Sequence, residues 1–207
     1  MVVGLTGGIG SGKTTVGAML LARGAAIIDA DVAARDVVRP PSAVLDELVA
    51  SFSPAILDRA GLLDRSKLAS LVFRDPTKRE RLNAIMHPAI RARMLGAAAE
   101  LASAVTVMIV PLLFESPLRF KCRLIIGVVA PPDIRWQRVR LRDGMSWAEF
   151  DQRRRGQVDD AVVCSQSDIL VANDSDLGAL ERSVGDLWSA LRVYAAACVP
   201  GRRINDR

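Results

Sequence analysis

Residues 7–14, GGIGSGKT, are a glycine-rich segment that ends in a lysine and a threonine. They fit the pattern G-x-x-x-x-G-K-S/T, in which glycines let successive backbone N–H groups face the oxygens of a phosphate. In such a segment Lys13 reaches the β- and γ-phosphates of a nucleoside triphosphate, and the Thr14 hydroxyl binds the Mg²⁺ that bridges them. We expect the phosphates to lie against the following residues: Gly8, Ile9, Gly10, Ser11, Gly12, Lys13, Thr14 and Thr15.

The flanking sequence supplies the context that a phosphate-binding loop requires. Residues 2–6, VVGLT, predict a buried strand before the loop, and Val16 and Leu20 recur at helical spacing after it. Gly24 predicts the end of a helix over 15–23. Strand, loop and helix follow one another in the confirming order, which disfavours a glycine-rich turn that binds nothing.

Length and composition are typical of a globular protein that binds anions. The 207 residues suit one domain with insertions or two small domains, and half of them are apolar. The formal charge of +5 comes mostly from arginine, but aromatics make up only 4% and no basic block is interleaved with them, so we predict no nucleic-acid partner. The three cysteines are far apart without C-x-x-C spacing, which argues against a disulfide framework or zinc site and predicts a cytoplasmic protein.

Neither the N-terminus nor the longest apolar stretch predicts a targeting or membrane segment. The N-terminus runs directly into the first predicted strand, which leaves no room for a cleavable signal sequence. Residues 95–114 have membrane length but contain Glu100 and Pro111 and change from an alanine-rich to a β-branched pattern. We therefore predict a helix followed by a buried strand there, and no membrane partner.

Two aspartates, Asp29 and Asp31, lie at the carboxyl end of the second predicted strand, AAIID at 25–29. Asp29 and Asp31 share a face of an extended segment at the carboxyl end of a strand, where open α/β sheets bind ligands. They are therefore candidates to face a metal ion and an acceptor hydroxyl. The residues alone leave two roles open for Asp31, catalytic base or N-cap of a helix that begins at Val32.

Residues 32–93 carry helical patterning with proline- and glycine-containing breaks and predict a helical insertion. Arg35 lies one helical turn after Asp31, where it faces either an acceptor's phosphate or solvent. His87, the only histidine, precedes Pro88, and a lone histidine without metal partners nearby is more often structural than catalytic.

Three further strands are predicted, over 106–110, 124–129 and 168–171, before a closing helix at 177–191. The strand at 106–110 is not followed by the aspartate that often holds the metal's water shell, so Glu115 or Asp29 is the candidate for that duty.

A basic segment after two prolines predicts two helices joined by an Asp-Gly turn. Arg135, Arg138 and Arg142 recur at spacings of three and four residues and share one face of the first helix. The second helix begins near Ser146 and brings further arginines and Gln157 back toward them. We interpret the hairpin as a lid, because phosphoryl transfer needs cations on the phosphate oxygens and exclusion of water; a solvated charged face and a nucleic-acid patch are the alternatives.

These stretches, in this order, resemble the dephospho-coenzyme A kinase family from Val2 to about Leu191. The resemblance rests on the following segments: GLTGGIGSGKT (4–14), IDADVAAR (28–35), LNAIMHPAIR (82–91), PLLFE (111–115), RVRLRDGMS (138–146), Gln157 and SDILVAN (167–173). A phosphate loop alone occurs in many enzymes, but this combination is much more specific.

The resemblance implies an α/β P-loop kinase fold, with a five-stranded parallel sheet flanked by helices, a helical substrate-binding insertion and a helical lid. It implies Mg²⁺-dependent transfer of the γ-phosphoryl group of ATP to the 3′-hydroxyl of the ribose of dephospho-CoA, the last step of coenzyme A biosynthesis. By the same resemblance the catalytic residues are Asp31 as the base, Lys13 and Arg142. The nucleotide contacts beyond the loop are Arg138, Arg142 and Asn173, and the acceptor contacts are Asp31, Arg35 and His87.

The implied organisation is a nucleotide-binding core of residues 1–31, 94–130 and 159–194, an acceptor-binding insertion of 32–93, a lid of 131–158 and a frayed tail of 195–207. We expect a monomer or weak homo-oligomer. The sequence departs from the family's pattern at three places: Arg135 replaces a usual glutamine at the start of the lid, Ile109 replaces an acidic residue, and Phe52-Ser53 replaces Phe-Gly.

Two other functions share some of these features. A P-loop kinase for a nucleoside or nucleotide acceptor would have the same loop and lid and would differ in the helical insertion. A GTPase-type switch would need D-x-x-G after a strand and N-K-x-D for guanine. Residues 58–61 fit the first by letters but lie in the helical region, and Asn173 is followed by Asp174 rather than lysine.

Overall fold

A computed structural model describes residues 1–73 and 75–197 of the chain. It divides into two compact units. The first unit comprises Met1–Ile28 and the described residues from Leu101 onward, and the second comprises Asp29–Glu100. None of the helices in the described residues combines the length and apolarity that crossing a bilayer requires.

A five-stranded parallel sheet organises the first unit, in the order β2-β3-β1-β4-β5. Its strands are β1 (Val2–Thr6), β2 (Ala26–Asp29), β3 (Thr106–Ile109), β4 (Leu124–Val129) and β5 (Ile169–Ala172). The predicted bounds of β1 and β4 are confirmed without change, and the other strands lie where the sequence predicts them with ends that shift by a residue. β1 is central, and its Val3 lies opposite Val107 of β3 and Leu124 of β4.

Helices cover the sheet, which explains why its strands read as continuous apolar runs. The helices of this unit are α1 (Lys13–Ala22), α6 (Pro132–Asp143), α7 (Trp147–Arg155), α8 (Asp160–Gln166) and α9 (Leu177–Ala197), with short 3-10 helices at Leu113–Glu115 and Pro117–Lys121. Val16 and Leu20 of α1 and Val184 and Leu191 of α9 are buried in the same core as the sheet residue Leu5. This packing fixes both ends of the loop between β1 and α1.

The closing helix is longer than the sequence pattern predicts. It continues past Leu191 to Ala197 because Leu187, Leu191 and Ala195 repeat at four-residue spacing and all three are buried against the sheet. Residues 195–197 of the predicted tail therefore belong to α9, and residues 198–207, with the basic GRRINDR segment, lie outside the described residues.

The second unit is helical, as the pattern predicts, and its described elements are α2 (Ala30–Asp36), α3 (Ala43–Phe52), a 3-10 helix (Pro54–Ile56), α4 (Arg65–Phe73) and α5 (Pro76–Glu100). The predicted breaks separate these elements. The unit's own apolar core buries Leu45 and Leu48 of α3, Ile56 of the 3-10 helix and Leu68 of α4. The end of α5 at Glu100 and the start of β3 at Thr106 confirm the predicted change from helix to buried strand.

Candidate functional site

The loop between β1 and α1 has the form that the motif predicts, but α1 begins at Lys13, earlier than the predicted Thr15. Lys13 and Thr14 therefore belong to the first helical turn. Gly12 is the N-cap residue in a left-handed conformation, with φ of 100°, and has no side chain to cap the helix. The first N–H groups of α1 are thus left for an anion, which the helix dipole also favours.

The ammonium group of Lys13 lies on the loop itself. Its Nζ donates hydrogen bonds to the carbonyl oxygens of Gly7 at 2.6 Å and Gly8 at 3.0 Å. The backbone of Gly8 is drawn in further by the N–H of Ser11, which donates to the same carbonyl at 3.2 Å. The positive charge is therefore held where the glycine-rich backbone curls, and that is the place where the motif requires a phosphate.

Side chains from distant parts of the first unit hold the loop from outside. The N–H of Ile9 donates to Oε1 of Gln157 at 2.8 Å, and the carbonyl of Ile9 accepts from Nε of Arg135 at 2.8 Å. The carbonyl of Ser11 accepts from Nδ2 of Asn173, also at 2.8 Å. None of these supporting contacts was predicted from the sequence, although Arg135 was noted there as a replacement for the usual glutamine.

Asn173 links the loop to the basic helix α6. Its side chain is buried, and its Oδ1 accepts from Nη2 of Arg138 at 3.1 Å while its Nδ2 holds Ser11. The other terminal nitrogen of Arg138, Nη1, is buried without a hydrogen-bond acceptor among the described residues. A buried guanidinium N–H without a partner is costly, so this group is available to donate a hydrogen bond to an anion.

The α6–α7 hairpin (Pro132–Arg155) is built as predicted. Gly144 ends α6 in a left-handed conformation, and Ser146 begins α7 with a capping box in which Glu149 reaches back to it. The hydrogen bond from the Ser146 backbone lowers the pKa of Glu149. The rings of Trp136 on α6 and Trp147 on α7 meet edge to face, with their centroids 5.4 Å apart.

Many charges of this hairpin are paired with carboxylates of the same unit. Arg142 donates to both oxygens of Asp143, at 2.8 and 2.7 Å, and these hydrogen bonds lower the pKa of Asp143. Arg154 and Arg155 both contact Asp151. Carboxylates therefore neutralise part of the predicted basic face. Of the two arginines predicted to contact the nucleotide, Arg138 contacts Asn173 beside the loop, whereas Arg142 is exposed on α6.

The structure assigns the helix cap to Asp29 and not to Asp31. Helix α2 begins at Ala30, and Oδ1 of Asp29 accepts from the backbone N–H groups of Asp31 at 2.7 Å and Val32 at 3.4 Å. The alternative in which Asp31 caps a helix starting at Val32 is therefore wrong, because the strand hands over to the helix two residues earlier. The carboxylate of Asp31 is exposed in the first turn of α2.

The other predicted acceptor residues lie in the second unit with Asp31. Arg35 is exposed on α2, and its Nε donates to the backbone carbonyl of Asp31 at 3.1 Å. His87 is exposed on α5 and lines a cleft of about 310 Å³. The remaining walls of the cleft are mostly apolar: Leu63, Arg65, Leu68, Ala69, Val72, Leu82, Asn83, Met86 and Ile90.

The oxygen donors near the loop fit a Mg²⁺ ion that takes most of its ligands from substrate phosphates and water. No group of three or more His, Cys, Asp or Glu side chains comes together within the described residues, so this part of the chain builds no cage of its own. Thr14 offers an exposed hydroxyl in the first turn of α1. A single hard oxygen beside phosphates and water is the ligand set that Mg²⁺ commonly takes. Of the two candidates for its outer shell, Glu115 is exposed and Asp29 is engaged as the cap of α2.

Alanine at position 12 is expected to damage the loop. An added Cβ would overlap Nδ2 of Asn173, and the left-handed φ of Gly12 is strained for any other residue. We expect Gly12→Ala to weaken ATP binding and to lower the free energy of unfolding by about 1–3 kcal/mol. Calorimetric titration with Mg-ATP and urea unfolding measure the two effects.

The matched control is Gly96→Ala in α5. A Cβ at Gly96 would meet no described atom within 4 Å, so the same substitution should raise the free energy of unfolding by about 0.5–1 kcal/mol. If both variants bind Mg-ATP as the unmodified protein does, the close approach of Asn173 to Gly12 is not what shapes the loop.

Comparison with known protein families adds an independent observation. Residues 1–178 match the family model described as dephospho-CoA kinase. The dephospho-CoA kinase of Streptomyces avermitilis is 44% identical over 192 residues, which cover 91% of this chain and 93% of that protein.

Solved structures agree on the fold. A crystal structure from Thermus thermophilus aligns with a TM-score of 0.80 at 32% identity, covering 92% of this chain and 97% of the other. Dephospho-CoA kinase from Campylobacter jejuni aligns with a TM-score of 0.72 over 93% of this chain and 98% of its own, at 22% identity, and this likeness supports the fold alone.

Proposed function

This chain belongs to the dephospho-CoA kinase family, and we propose from that premise that it transfers the γ-phosphoryl group of ATP to the 3′-hydroxyl of dephospho-CoA, giving CoA and ADP. The reaction would be the last step of coenzyme A biosynthesis. The observation that carries the choice of acceptor is the family match over residues 1–178. The loop of residues 7–14, in which Lys13 lies against the curled backbone at the uncapped start of α1, supports the use of ATP.

On the nucleotide side, the loop N–H groups and Lys13 would hold the β- and γ-phosphates. Arg138 would add a cation, since its Nη1 lacks an acceptor in the described residues. Cations and N–H donors fixed in advance stabilise the charge that develops on the transferred group at no cost of reorganisation. Mg²⁺, when bound at the Thr14 hydroxyl, would neutralise phosphate charge. Arg142 would have to exchange Asp143 for a phosphate oxygen to contribute.

On the acceptor side, we assign Asp31 as the base that orients or deprotonates the acceptor hydroxyl. Its carboxylate is exposed, and the helix cap is provided by Asp29, so Asp31 has no capping duty that competes with proton transfer. Arg35 and His87 would contact the acceptor. The largely apolar cleft beside His87 supports this assignment, because dephospho-CoA carries a long, partly apolar arm in addition to its nucleotide.

We propose that the α6–α7 hairpin serves as the lid, within a lid segment of residues 131–158, and that residues 32–93 form the acceptor-binding insertion. The core would then consist of 1–31, 94–130 and 159–194. We further propose a cytoplasmic monomer or weak homo-oligomer that uses Mg²⁺ and has no nucleic-acid or membrane partner.

The experiment that tests the function is an initial-rate assay with Mg-ATP and a panel of acceptors. ADP release is measured with dephospho-CoA, adenosine, a nucleoside monophosphate and no acceptor. The proposal expects release that depends on dephospho-CoA. Release that follows adenosine or the monophosphate instead would assign a nucleoside or nucleotide kinase, and slow release that ignores every acceptor would indicate a switch.

A further inference from the structure

The peptide groups on both sides of Ile9 are fixed by side chains from outside the loop. The N–H of Ile9 is bound to Gln157, and its carbonyl is bound to Arg135, both at 2.8 Å. A trans peptide is planar with its N–H and C=O antiparallel, so fixing one of the two bonds fixes the direction of the other. Neither peptide plane at Ile9 can rotate without breaking one of these hydrogen bonds.

The hydrogen bonds from Ile9 to Gln157 and from Arg135 to Ile9 orient different groups of the loop. Because the Ile9 N–H points to Gln157, the carbonyl of Gly8 points the other way, where it accepts from Nζ of Lys13 at 3.0 Å. Because the Ile9 carbonyl points to Arg135, the N–H of Gly10 points away from that guanidinium. The bond to Gln157 therefore orients the Gly8 carbonyl toward Lys13, and the bond from Arg135 orients the Gly10 N–H, a backbone donor of the phosphate loop.

Arg135 is an unusual residue to do this. It is 1% exposed, and a buried guanidinium is tolerated only when it is paired and hydrogen-bonded. Its Nη1 donates to both carboxylate oxygens of Asp160, at 2.6 and 2.8 Å, and Asp160 begins α8. The guanidinium also lies beside the ring of Phe150, 5.9 Å from its centre, and a Cβ on Gly8 would overlap it.

We propose that Arg135 and Asp160 act together as positioning residues for ATP: Asp160 holds the buried guanidinium, and Arg135 fixes the Ile9–Gly10 peptide so that the Gly10 N–H faces the bound phosphates. The proposal rests on the proposed function, since it assumes that the loop holds ATP. It gives the departure at position 135 a role: a glutamine there would reach the Ile9 carbonyl without charge and would need no carboxylate partner.

The first test removes the carboxylate. Asp160→Asn leaves Arg135 buried without a counter-charge, so the guanidinium is expected to leave its place and free the Ile9 peptide. The Kd for Mg-ATP, measured by calorimetry without acceptor, should rise about tenfold, within the range of coupling for contacting buried groups. The KM for dephospho-CoA should stay unchanged, a split that general loss of structure would not give.

The matched control is Asp36→Asn, which removes the same group from the partner of Arg93 in the second unit, where both side chains of the pair are partly exposed. Solvent screens such pairs, so the Kd for Mg-ATP should not change. Equal ATP affinity in Asp160→Asn and Asp36→Asn would overturn the proposal.

A second pair of variants keeps the test valid if Asp160→Asn does not fold. Arg135→Gln/Asp160→Asn and Arg135→Met/Asp160→Asn are both neutral and similar in side-chain length, but only glutamine can donate to the Ile9 carbonyl. We expect the glutamine variant to bind Mg-ATP close to the unmodified protein and the methionine variant to bind about tenfold more weakly. Equal affinities would overturn the proposal, whereas an unmodified protein that binds ATP but ignores dephospho-CoA would contradict only the proposed function.

Discussion

Asp31→Asn is expected to lower kcat for dephospho-CoA by about 10²–10⁴-fold, the usual contribution of a general base. Asparagine has nearly the same shape but cannot accept the proton of the acceptor hydroxyl. The fold should tolerate the change, because Asp31 contributes its backbone N–H to the cap of α2 while the capping carboxylate belongs to Asp29. Steady-state kinetics and a calorimetric Kd for Mg-ATP measure the effect.

Asp46→Asn is the matched control for this variant. Asp46 is also an exposed aspartate in the first turn of a helix, α3, so the substitution changes the same charge in the same kind of place. It should leave kcat and ATP affinity unchanged. The Kd for Mg-ATP should also stay nearly constant in Asp31→Asn. A large loss of ATP affinity in that variant would instead make Asp31 a metal-binding or structural residue.

Lys13→Ala should reduce both ATP affinity and turnover. The ammonium group lies against the carbonyls of Gly7 and Gly8, so its removal takes a cation from the β- and γ-phosphates and leaves two loop carbonyls without this donor. We expect kcat to fall by about 10²–10³-fold, as when a preorganised donor is removed from a developing negative charge. The Kd for Mg-ATP should rise in the same variant.

Lys78→Ala is the control for the loss of a lysine. Its ammonium group pairs with Asp75 at 3.5 Å on the surface of the second unit, where a salt bridge contributes little. Turnover and ATP affinity should be those of the unmodified protein. Near-normal turnover in Lys13→Ala would contradict the assignment of residues 7–14 as the catalytic phosphate loop.

Local patterns predicted the sheet and the loop well, because buried parallel strands and a G-x-x-x-x-G-K-T segment are each recorded in a few adjacent residues. The start of a helix was harder to predict where two residues could serve equally well as its N-cap. Asp29 and Asp31 are both good N-caps, and only the point at which β2 leaves the sheet decides that α2 begins at Ala30. The length of α9 depended in the same way on how far its buried face continues along the sheet.

The supports of the loop could not be predicted, because they join residues far apart in the chain. Arg135 and Gln157 meet Ile9 across 126 and 148 positions, and Asn173 meets Ser11 across 162. Spacing along one helix placed Arg135, Arg138 and Arg142 on a common face but could not show which carboxylates neutralise them. In the structure Arg135 pairs with Asp160 and Arg142 with Asp143, whereas Arg138 donates to the amide oxygen of Asn173.

The switch hypothesis loses its remaining sequence support in the structure. Residues 58–61, which fit D-x-x-G by letters, form a turn of the second unit in which the N–H of Gly61 donates to the carbonyl of Asp58 at 3.2 Å. The side chain of Asn173 is occupied by Ser11 and Arg138. Neither arrangement provides the guanine and γ-phosphate contacts for which a GTPase uses these motifs.

The most direct test of the central claim is the identity and amount of the product. The purified protein is incubated with Mg-ATP and dephospho-CoA, and ADP and CoA are quantified by liquid chromatography and mass spectrometry against authentic standards. We predict equal amounts of ADP and CoA, with the new phosphate on the 3′-oxygen. Dephospho-CoA that stays unchanged while the protein phosphorylates another acceptor, or hydrolyses ATP alone, would contradict the claim.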